Sequence, residues 1–331
     1  MTMVSSDNNP QHWRPTASLA ALQGRATLNR LIRDFFQRRN VLEVETPLMS
    51  RGCGTDPHLA PIIARYGAQD GGPGAPRYLQ TSPEFAMKRL LAAGSGPIYQ
   101  LCKAFRDGES GSRHNPEFTM LEWYRPGFDL TQLMDEVEAL VREALSLEVP
   151  PFPRVSYADI FQATLAIDPH AASLEQLQHL VYERVDDALA LTDRDACLDV
   201  LYSTLIEPTL KDPIFIEDYP ASQAALAKTA LDAAGRRVAK RFELVMGGLE
   251  LANGYDELSD AQEQAQRFVK DQEKRGALGL PALNADLRLV SALAAGLPEC
   301  AGVALGADRL LMLRLGALNI DAVLAFPEAR A

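Results

Sequence analysis

Apolar and polar residues alternate most clearly in the first half of the chain, where two short apolar stretches flank a charged segment. The pattern predicts two β-strands, Ile98 to Phe105 and Phe118 to Tyr124, joined by a polar loop. Because successive side chains of a strand point to opposite faces, Glu122 shares its face with Met120 and Tyr124. An unpaired carboxylate among apolar groups is unfavourable, so we expect Glu122 to meet a cation from the loop arginines or from a ligand. A hairpin with a buried salt bridge is the alternative interpretation.

Apolar residues at helical spacing predict a helix from Ser18 to about Asn40 and an amphipathic helix from Asp129 to Leu147. A further helix is predicted to begin at residues 81–84, where Ser82 can cap it and Glu84 suits its positive end.

The remaining segments are predicted more coarsely. Residues 41–47 predict a short strand that is stopped by a proline, and the glycine-rich stretch 66–77 predicts a loop. Residues 157–210 are predicted to be mostly helical, and residues 1–16 are predicted to be a flexible N-terminus.

A pair of adjacent glycines, Gly247-Gly248, predicts a two-residue hairpin turn. This turn places Val245 opposite Glu250 and Glu243 opposite Ala252, so that Glu243 and Glu250 are diagonal neighbours on one face. Two carboxylates at that distance favour a cation such as Mg²⁺, which binds carboxylates together with substrate phosphates. Two solvated carboxylates on a sheet face are the alternative.

Two further patterns carry possible ligand groups. Asn253, Tyr255 and Glu257 share one face if the strand continues, and they suit the ammonium group of a lysine-like ligand. A turn at Asn253-Gly254 is the competing interpretation. Residues 302–309 combine glycines with a helix start, where Arg309 could hold a phosphate.

Composition narrows the function classes. The chain has 331 residues and a net charge of −11, which disfavours a general nucleic-acid binder. The four cysteines and five histidines are scattered, without the spacing of a zinc site. Neither a membrane span nor a secretory leader is recognisable, so we expect a cytoplasmic protein with reduced thiols.

The run from Arg106 to Tyr124, which includes the letters RHNPEFTMLEWY, resembles motif 2 of the class II aminoacyl-tRNA synthetases in their lysyl form. The N-terminal helix followed by residues 45–47 resembles motif 1, and residues 302–309 resemble motif 3. The resemblance implies an α+β fold, the class II aminoacyl-tRNA synthetase catalytic domain, with an antiparallel β-sheet flanked by helices. It places this domain at residues 17–331 and implies a homodimer formed through motif 1.

The resemblance also implies roles for single residues. Arg106 and Arg309 are expected to be catalytic, with Arg309 on the ATP γ-phosphate. One departure concerns the adenine-binding glutamate, which normally follows the motif 2 arginine by two residues, whereas here Glu109 follows by three. The implied ATP-binding residues are Arg106, Glu109, His114, Phe118, Glu243, Glu250 and Arg309. The implied Mg²⁺ ligands are Glu243 and Glu250. The implied substrate-binding residues are Ser82, Glu84, Glu122, Tyr124, Asn253, Tyr255, Glu257 and Ala304.

The chain leaves no room for the N-terminal OB-fold with which lysyl-tRNA synthetases read the anticodon, so no tRNA anticodon binding is expected. In this it resembles the truncated lysyl-tRNA synthetase paralogues that attach lysine, preferably (R)-β-lysine, to a lysine side chain of elongation factor P. Ala252 and Ala304 stand where the synthetases usually have glycine, and both methyl groups are expected to reshape the pocket floor. The implied activity is an ATP- and Mg²⁺-dependent ligase. The alternatives are a paralogue that charges tRNA or a small molecule, and a catalytically dead regulatory subunit.

Overall fold

The computed structural model describes residues 13–67, 74–186, 189 and 191–331. Residues 1–12 of the predicted flexible N-terminus and the middle of the predicted glycine-rich loop, residues 68–73, lie outside the described residues. The α-helices of the described residues are α1 Leu19–Gln37, α2 Glu84–Ala92, α3 Leu130–Leu145, α4 Tyr157–Leu165, α5 Leu174–Arg184, α6 Arg194–Leu201, α7 Ala261–Ala277, α8 Leu287–Gly296 and α9 Ala307–Leu315. The strands there are β1 Leu42–Glu43, β2 Met49–Ser50, β3 Ile63–Tyr66, β4 Ala75–Leu79, β5 Ile98–Phe105, β6 Glu117–Pro126, β7 Arg154–Ser156, β8 Ile214–Pro220, β9 Thr229–Leu231, β10 Arg237–Val245, β11 Glu250–Asp256 and β12 Cys300–Gly306.

One large sheet organises these elements. Its strand order is β1-β5-β6-β12-β11-β10-β8-β7, and β9 also pairs with β10. The pairs β1–β5 and β7–β8 at the two edges are parallel, and the other pairs are antiparallel. Strands β2, β4 and β3 form a separate antiparallel sheet. The predicted α+β fold, with an antiparallel sheet flanked by helices, is confirmed.

The two faces of the large sheet differ in character. Helices α1, α3 and α9 cover one face, where Leu121 and Trp123 of β6 pack with Val303 and Leu305 of β12 in the largest apolar core. The side chains between them in sequence point to the opposite face, as the predicted alternation in β6 requires. That opposite face carries most of the candidate site.

The predicted helix of motif 1, the helix that begins at residues 81–84 and the helix after motif 2 are confirmed. Pro83 and not Ser82 is the N-cap of α2, so the predicted cap by Ser82 is wrong. Ser18 caps α1, and Asp129 caps α3 in a capping box with Gln132. The strand predicted over residues 41–47 is wrong beyond Glu43, because the chain leaves the edge of the sheet before Pro47, which has no N–H to donate. No helix among the described residues is long and apolar enough to cross a membrane.

The predicted helical segment 157–210 contains α4, α5 and α6 and ends in short π and 3₁₀ turns, which confirms the prediction. Tyr157, Phe161 and Tyr202 form an aromatic cluster at its centre. This second core packs on the sheet at β8 and β10.

The glycine hairpin is confirmed with one correction. Gly247 and Gly248 both have positive φ, +68° and +70°, as the tight turn requires. Val245 pairs with Glu250 as predicted, but Glu243 lies opposite Asn253 and not opposite Ala252. A β-bulge between positions 244 and 245 shifts the register by one residue.

Candidate active site

The polar face of the sheet is built from two adjacent rows of residues that run across the strands in register. Each row takes one residue from successive neighbouring strands, so chemistry from distant parts of the chain meets on one surface. The first row is Gln100, Glu122, Ala304, Asn253 and Glu243, and the second is Tyr124, Gly302, Tyr255 and Arg241.

We call one end of this face the carboxylate end, which comprises Ser82, Glu84, Lys88, Glu122, Tyr124 and Glu257. The hydroxyl groups of Ser82 and Tyr124 each donate to the carboxylate of Glu122 at 2.7 Å. Burial raises the pKa of Glu122 to about 8, and the charge of Glu84 adds to the rise, while the two hydroxyl groups oppose it.

The expectation that a loop arginine pairs with Glu122 is wrong. Arg106 lies 3.5 Å from Glu109, and Arg113 donates to the carbonyl of Gly248 at 2.6 Å. In the part of the chain that the structure describes, the hydroxyl groups of Ser82 and Tyr124 contact Glu122 where a loop arginine was expected, and a ligand stays the other predicted source of a cation.

Lys88 is a member of the carboxylate end that sequence reasoning missed. Its side chain is 1% exposed, and its amine lies 2.5 Å from Glu84 and 2.6 Å from Glu257. Burial alone would lower the pKa of Lys88, but Glu257 and Glu84 raise it above its ordinary value, so the amine stays charged. The spacing of four residues from Glu84 was the available signal, although such helical pairs usually lie on the surface.

Glycine at position 302 lets three strands come close at this end. A Cβ atom there would collide with the carboxylate of Glu257 and the ring of Tyr124. Position 254 is similar, since a Cβ atom would collide with the ring of Phe242. The chain therefore continues as strand β11 through Asn253-Gly254, and the alternative of a turn there is wrong.

The two alanines that replace glycines of the synthetases point to different faces. Ala304 is half-buried on the polar face, in line with Glu122 and Asn253. Ala252 is buried in the apolar core opposite Leu244. The expectation that both methyl groups line the pocket is therefore wrong for Ala252, because the β-bulge changes its register.

The middle of the face carries the predicted carboxylate pair. Glu243 is buried and forms an ion pair with Arg241, whose Nε donates to Asn253 at 3.2 Å. Burial raises the pKa of Glu243 to about 7, and the nearby charge of Glu250 adds to the rise. Glu207, from the helical segment, accepts the backbone N–H of Glu250 at 2.8 Å and was missed by sequence reasoning.

The donor set fits a magnesium ion that also binds phosphate. Glu243 and Glu250 are two hard oxygen donors whose mutual repulsion a divalent cation would relieve. The described residues contain no group of three or more His, Cys, Asp or Glu side chains that could hold a metal by themselves. Water and the oxygen atoms of a bound phosphate would therefore complete the ligand set.

We call the other end of the face the arginine end, which comprises Arg106, Glu109, His114, Phe118, Glu250 and Arg309. Arg309 donates to the carbonyl of Glu250 at 2.7 Å, and its second nitrogen lies 2.8 Å from Nε2 of His114. Burial and the charge of Arg309 lower the pKa of His114, so this imidazole is neutral near pH 7. Arg106 lies over the ring of Phe118, 5.1 Å from its centroid.

A buried acid anchors the arginine end from below. Asp308 is 2.5 Å from Arg25 of α1 and accepts the backbone N–H of Thr119 at 2.6 Å. These contacts join the helix of motif 1, the strand of motif 2 and the helix that carries Arg309. Sequence reasoning gave Asp308 no role, since a helix-start aspartate usually serves its own helix.

Carboxylates at one end and arginines at the other suit a ligand with cationic groups at one end and phosphates at the other. Comparisons with known proteins identify the family of the chain. The model of the family "tRNA synthetases class II (D, K and N)" matches residues 6–330. A protein of Pseudoalteromonas translucida named elongation factor P–(R)-β-lysine ligase is 52% identical over 323 residues, which cover 96% of this chain and 98% of that protein. Proteins of the same name from Salmonella gallinarum and Salmonella paratyphi B are each 49% identical, with the same coverage.

Proposed function

Because this chain belongs to the class II tRNA synthetases (D, K and N), we propose that it is an ATP-dependent ligase built on their catalytic domain, over residues 17–331. It activates (R)-β-lysine or lysine as an aminoacyl-adenylate and transfers it to a lysine side chain of elongation factor P. The observation that carries the proposal is the polar face, with buried carboxylates at one end and arginines at the other. The names of relatives at about half identity support the same substrates.

In the first step, a carboxylate oxygen of the amino acid attacks the α-phosphorus of ATP. The bond from that phosphorus to the bridging oxygen breaks, and pyrophosphate leaves. Arg106 stabilises the charge on the α-phosphate and the substrate carboxylate, and Arg309 holds the γ-phosphate. To do so, Arg309 exchanges its contacts with the Glu250 carbonyl and His114 for phosphate oxygens.

The nucleotide base lies on the half-buried ring of Phe118, with His114 and Glu109 nearby. Glu243 and Glu250 would hold Mg²⁺, which would neutralise phosphate charge. Arg241 keeps Glu243 in place from the side of the sheet.

The two ammonium groups of the amino acid bind at the carboxylate end. Glu84, Glu122 and Glu257 supply the charge, and the neighbouring polar residues supply further hydrogen bonds. These neighbours are Ser82, Tyr124, Asn253 and Tyr255, with Ala304 as part of the floor.

In the second step, the neutral amine of a lysine on elongation factor P attacks the acyl carbon of the adenylate. An amide bond forms, the bond from the acyl carbon to the phosphate oxygen breaks, AMP leaves, and the amine proton passes to solvent. Neither step needs an enzyme nucleophile, so the protein contributes alignment and charge stabilisation.

We also propose a homodimer and a cytoplasmic location. Exposed apolar side chains on the segment that resembles motif 1 and directly after it support the homodimer, since Leu42 is 57% and Met49 is 40% exposed. The cytoplasmic location follows from the proposed acceptor, which is a translation factor.

The test is the intact mass of purified elongation factor P after incubation with this protein, ATP, Mg²⁺ and either lysine or (R)-β-lysine. We expect a gain of one lysyl residue, larger in yield with (R)-β-lysine, and no gain without ATP. Absence of any gain with both amino acids would contradict the proposed transfer. ATP–pyrophosphate exchange without transfer would then point to another acceptor, such as tRNA, and absence of exchange to a regulatory subunit.

A further inference from the structure

The carboxylate end contains its own cation. Lys88 lies on α2, four residues after Glu84, and its amine reaches across to Glu257 at the end of β11. Lys88 and Glu257 are each 1% exposed. Breaking a buried pair by removing one partner is strongly unfavourable, so Lys88 and its two carboxylates act as one unit.

The third carboxylate, Glu122, is outside this unit. It is 2% exposed and accepts hydrogen bonds from the neutral hydroxyl groups of Ser82 and Tyr124. Burial raises the pKa of Glu122 and of Glu257 to about 8, and bound ammonium groups favour the ionised form of both. When the ligand is bound and all are ionised, three carboxylates and one ammonium leave two negative charges in the pocket. Glu84 is 13% exposed, the most open of the three, so it lies nearest the ligand side of the unit.

We propose that Lys88 is a positioning residue that sets this charge at two, so that the pocket selects amino acids with two ammonium groups. Lys88 acts by neutralising one of the three carboxylates. The inference rests on the proposed function, because it concerns the amino-acid substrate of the same site. It explains the preference for diamino acids as a consequence of the net charge of the pocket.

The alternative role of Lys88 is purely structural, namely to connect α2 to the sheet. Both roles predict that Lys88→Met harms the protein, but only charge balance predicts recovery when a negative charge is removed as well. The double variant Lys88→Met/Glu257→Gln restores two negative charges without restoring that connection. Exposed Lys270 on α7 offers a matched control, Lys270→Met.

The experiment measures, by calorimetry, the dissociation constants of (R)-β-lysine, of 6-aminohexanoate, which has one ammonium group, and of ATP. We expect Lys88→Met to weaken (R)-β-lysine binding by about tenfold or more while ATP binding stays within about twofold. The double variant is expected to recover most of the lost affinity. Failure of the double variant to bind better than Lys88→Met, or wild-type affinity in Lys88→Met, would overturn the inference.

A second variant keeps the test decisive if Lys88→Met does not fold. Glu257→Gln leaves one negative charge, so the preference for (R)-β-lysine over 6-aminohexanoate is expected to fall by about tenfold. An unchanged preference would overturn the inference. Wild-type protein that binds ATP but no diamino acid would instead overturn the proposed function, so the two failures are distinguishable.

Discussion

The two ends of the polar face hold charge in different ways. At the carboxylate end, Glu122 and Glu257 are almost fully buried and are held by other side chains of the protein. At the arginine end, Arg309 and Arg106 are partly exposed, and Arg309 bonds to a backbone carbonyl and a neutral imidazole. Their carboxylate partners, Glu250 at 3.8 Å and Glu109 at 3.5 Å, are partly exposed as well. A ligand can replace such partly exposed partners more easily than it can replace a buried ion pair.

This difference indicates that the two ends have different tasks. Buried, fully partnered groups are costly to rearrange, so the carboxylate end is arranged before the ligand arrives and can discriminate between ligands. Partly exposed arginines keep their hydrogen-bonding capacity for phosphates. Selection is therefore expected at the carboxylate end, and charge stabilisation at the arginine end.

The largest expected effect tests the arginine end. Arg309→Ala should lower kcat/KM for ATP by at least about 1,000-fold, because phosphate charge loses its partner. The folding free energy should change by only about 1 kcal/mol, since the side chain donates to a backbone carbonyl and its ion pair with the Glu250 carboxylate, at 3.8 Å, is partly exposed. ATP–pyrophosphate exchange and thermal unfolding measure the two quantities. Exposed Arg184 at the end of α5 provides the control, Arg184→Ala, and full activity in Arg309→Ala would refute the site.

A substitution at the neighbouring Asp308 should mainly lower stability, whereas one at Arg309 should mainly lower activity. Asp308→Ala leaves Arg25 and the N–H of Thr119 without their buried acceptor, so it should lower the free energy of unfolding by about 3 to 5 kcal/mol. Urea denaturation measures this change. A loss below about 1 kcal/mol would show that the arginine end does not rest on a buried anchor.

Proton release on ligand binding is a further way to tell the carboxylate end from the arginine end. A carboxyl with a pKa raised to about 8 is mostly protonated at pH 7, and an ammonium ligand favours its ionised form. Burial raises the pKa of Glu257 to about 8 as well, so binding of (R)-β-lysine at pH 7 should release at least about one proton, and KM for it should fall by at least about fivefold between pH 7 and 8. Calorimetry in two buffers of different ionisation enthalpy measures the release. Glu122→Gln should reduce it and His114→Ala should not, because His114 is already neutral; no release from the wild-type protein would contradict the buried carboxyl.

The smallest expected effect concerns one methyl group. Ala304→Gly should change the preference between lysine and (R)-β-lysine by about three- to tenfold, because Ala304 lies on the polar face between Glu122 and Asn253. Ala252→Gly is the matched control, and it should cost about 1 kcal/mol of stability without changing the preference. Competition between the two amino acids in the transfer reaction measures the ratio. An unchanged ratio in Ala304→Gly would remove Ala304 from the specificity argument.

Much of the fold was predictable because its signals are local. Alternation placed Glu122 and Tyr124 on one face of β6, and Gly247-Gly248 fixed the hairpin turn. The bulge near Val245 was not predictable, since its extra residue leaves no mark in the pattern of apolar positions. That single shift explains why Ala252 faces the core.

The site residues that the sequence did not reveal were missed for a different reason. Lys88, Glu207 and Asp308 all act on groups that are distant in sequence. In its own helix, Lys88 is half of an ordinary pair at spacing four, and only the approach of Glu257 shows that the pair is buried. Resemblance to the synthetases brought in residues that are expected to touch ligands, whereas these residues hold other protein groups.

The hydroxyl of Ser82 has one proton, and the direction in which it donates that proton depends on the ionisation of Glu122. It accepts the N–H of Glu84 and donates to Glu122, while Tyr124 donates to the other oxygen of the same carboxylate. A protonated Glu122 would have to donate to one of these hydroxyl groups, whose own proton would then need another acceptor. When Glu122 is ionised, both hydroxyl groups therefore point their protons at its carboxylate. The hydroxyl oxygen of Ser82 thereby connects the first N–H of α2 to the charge on Glu122, in a strand in the middle of the sheet.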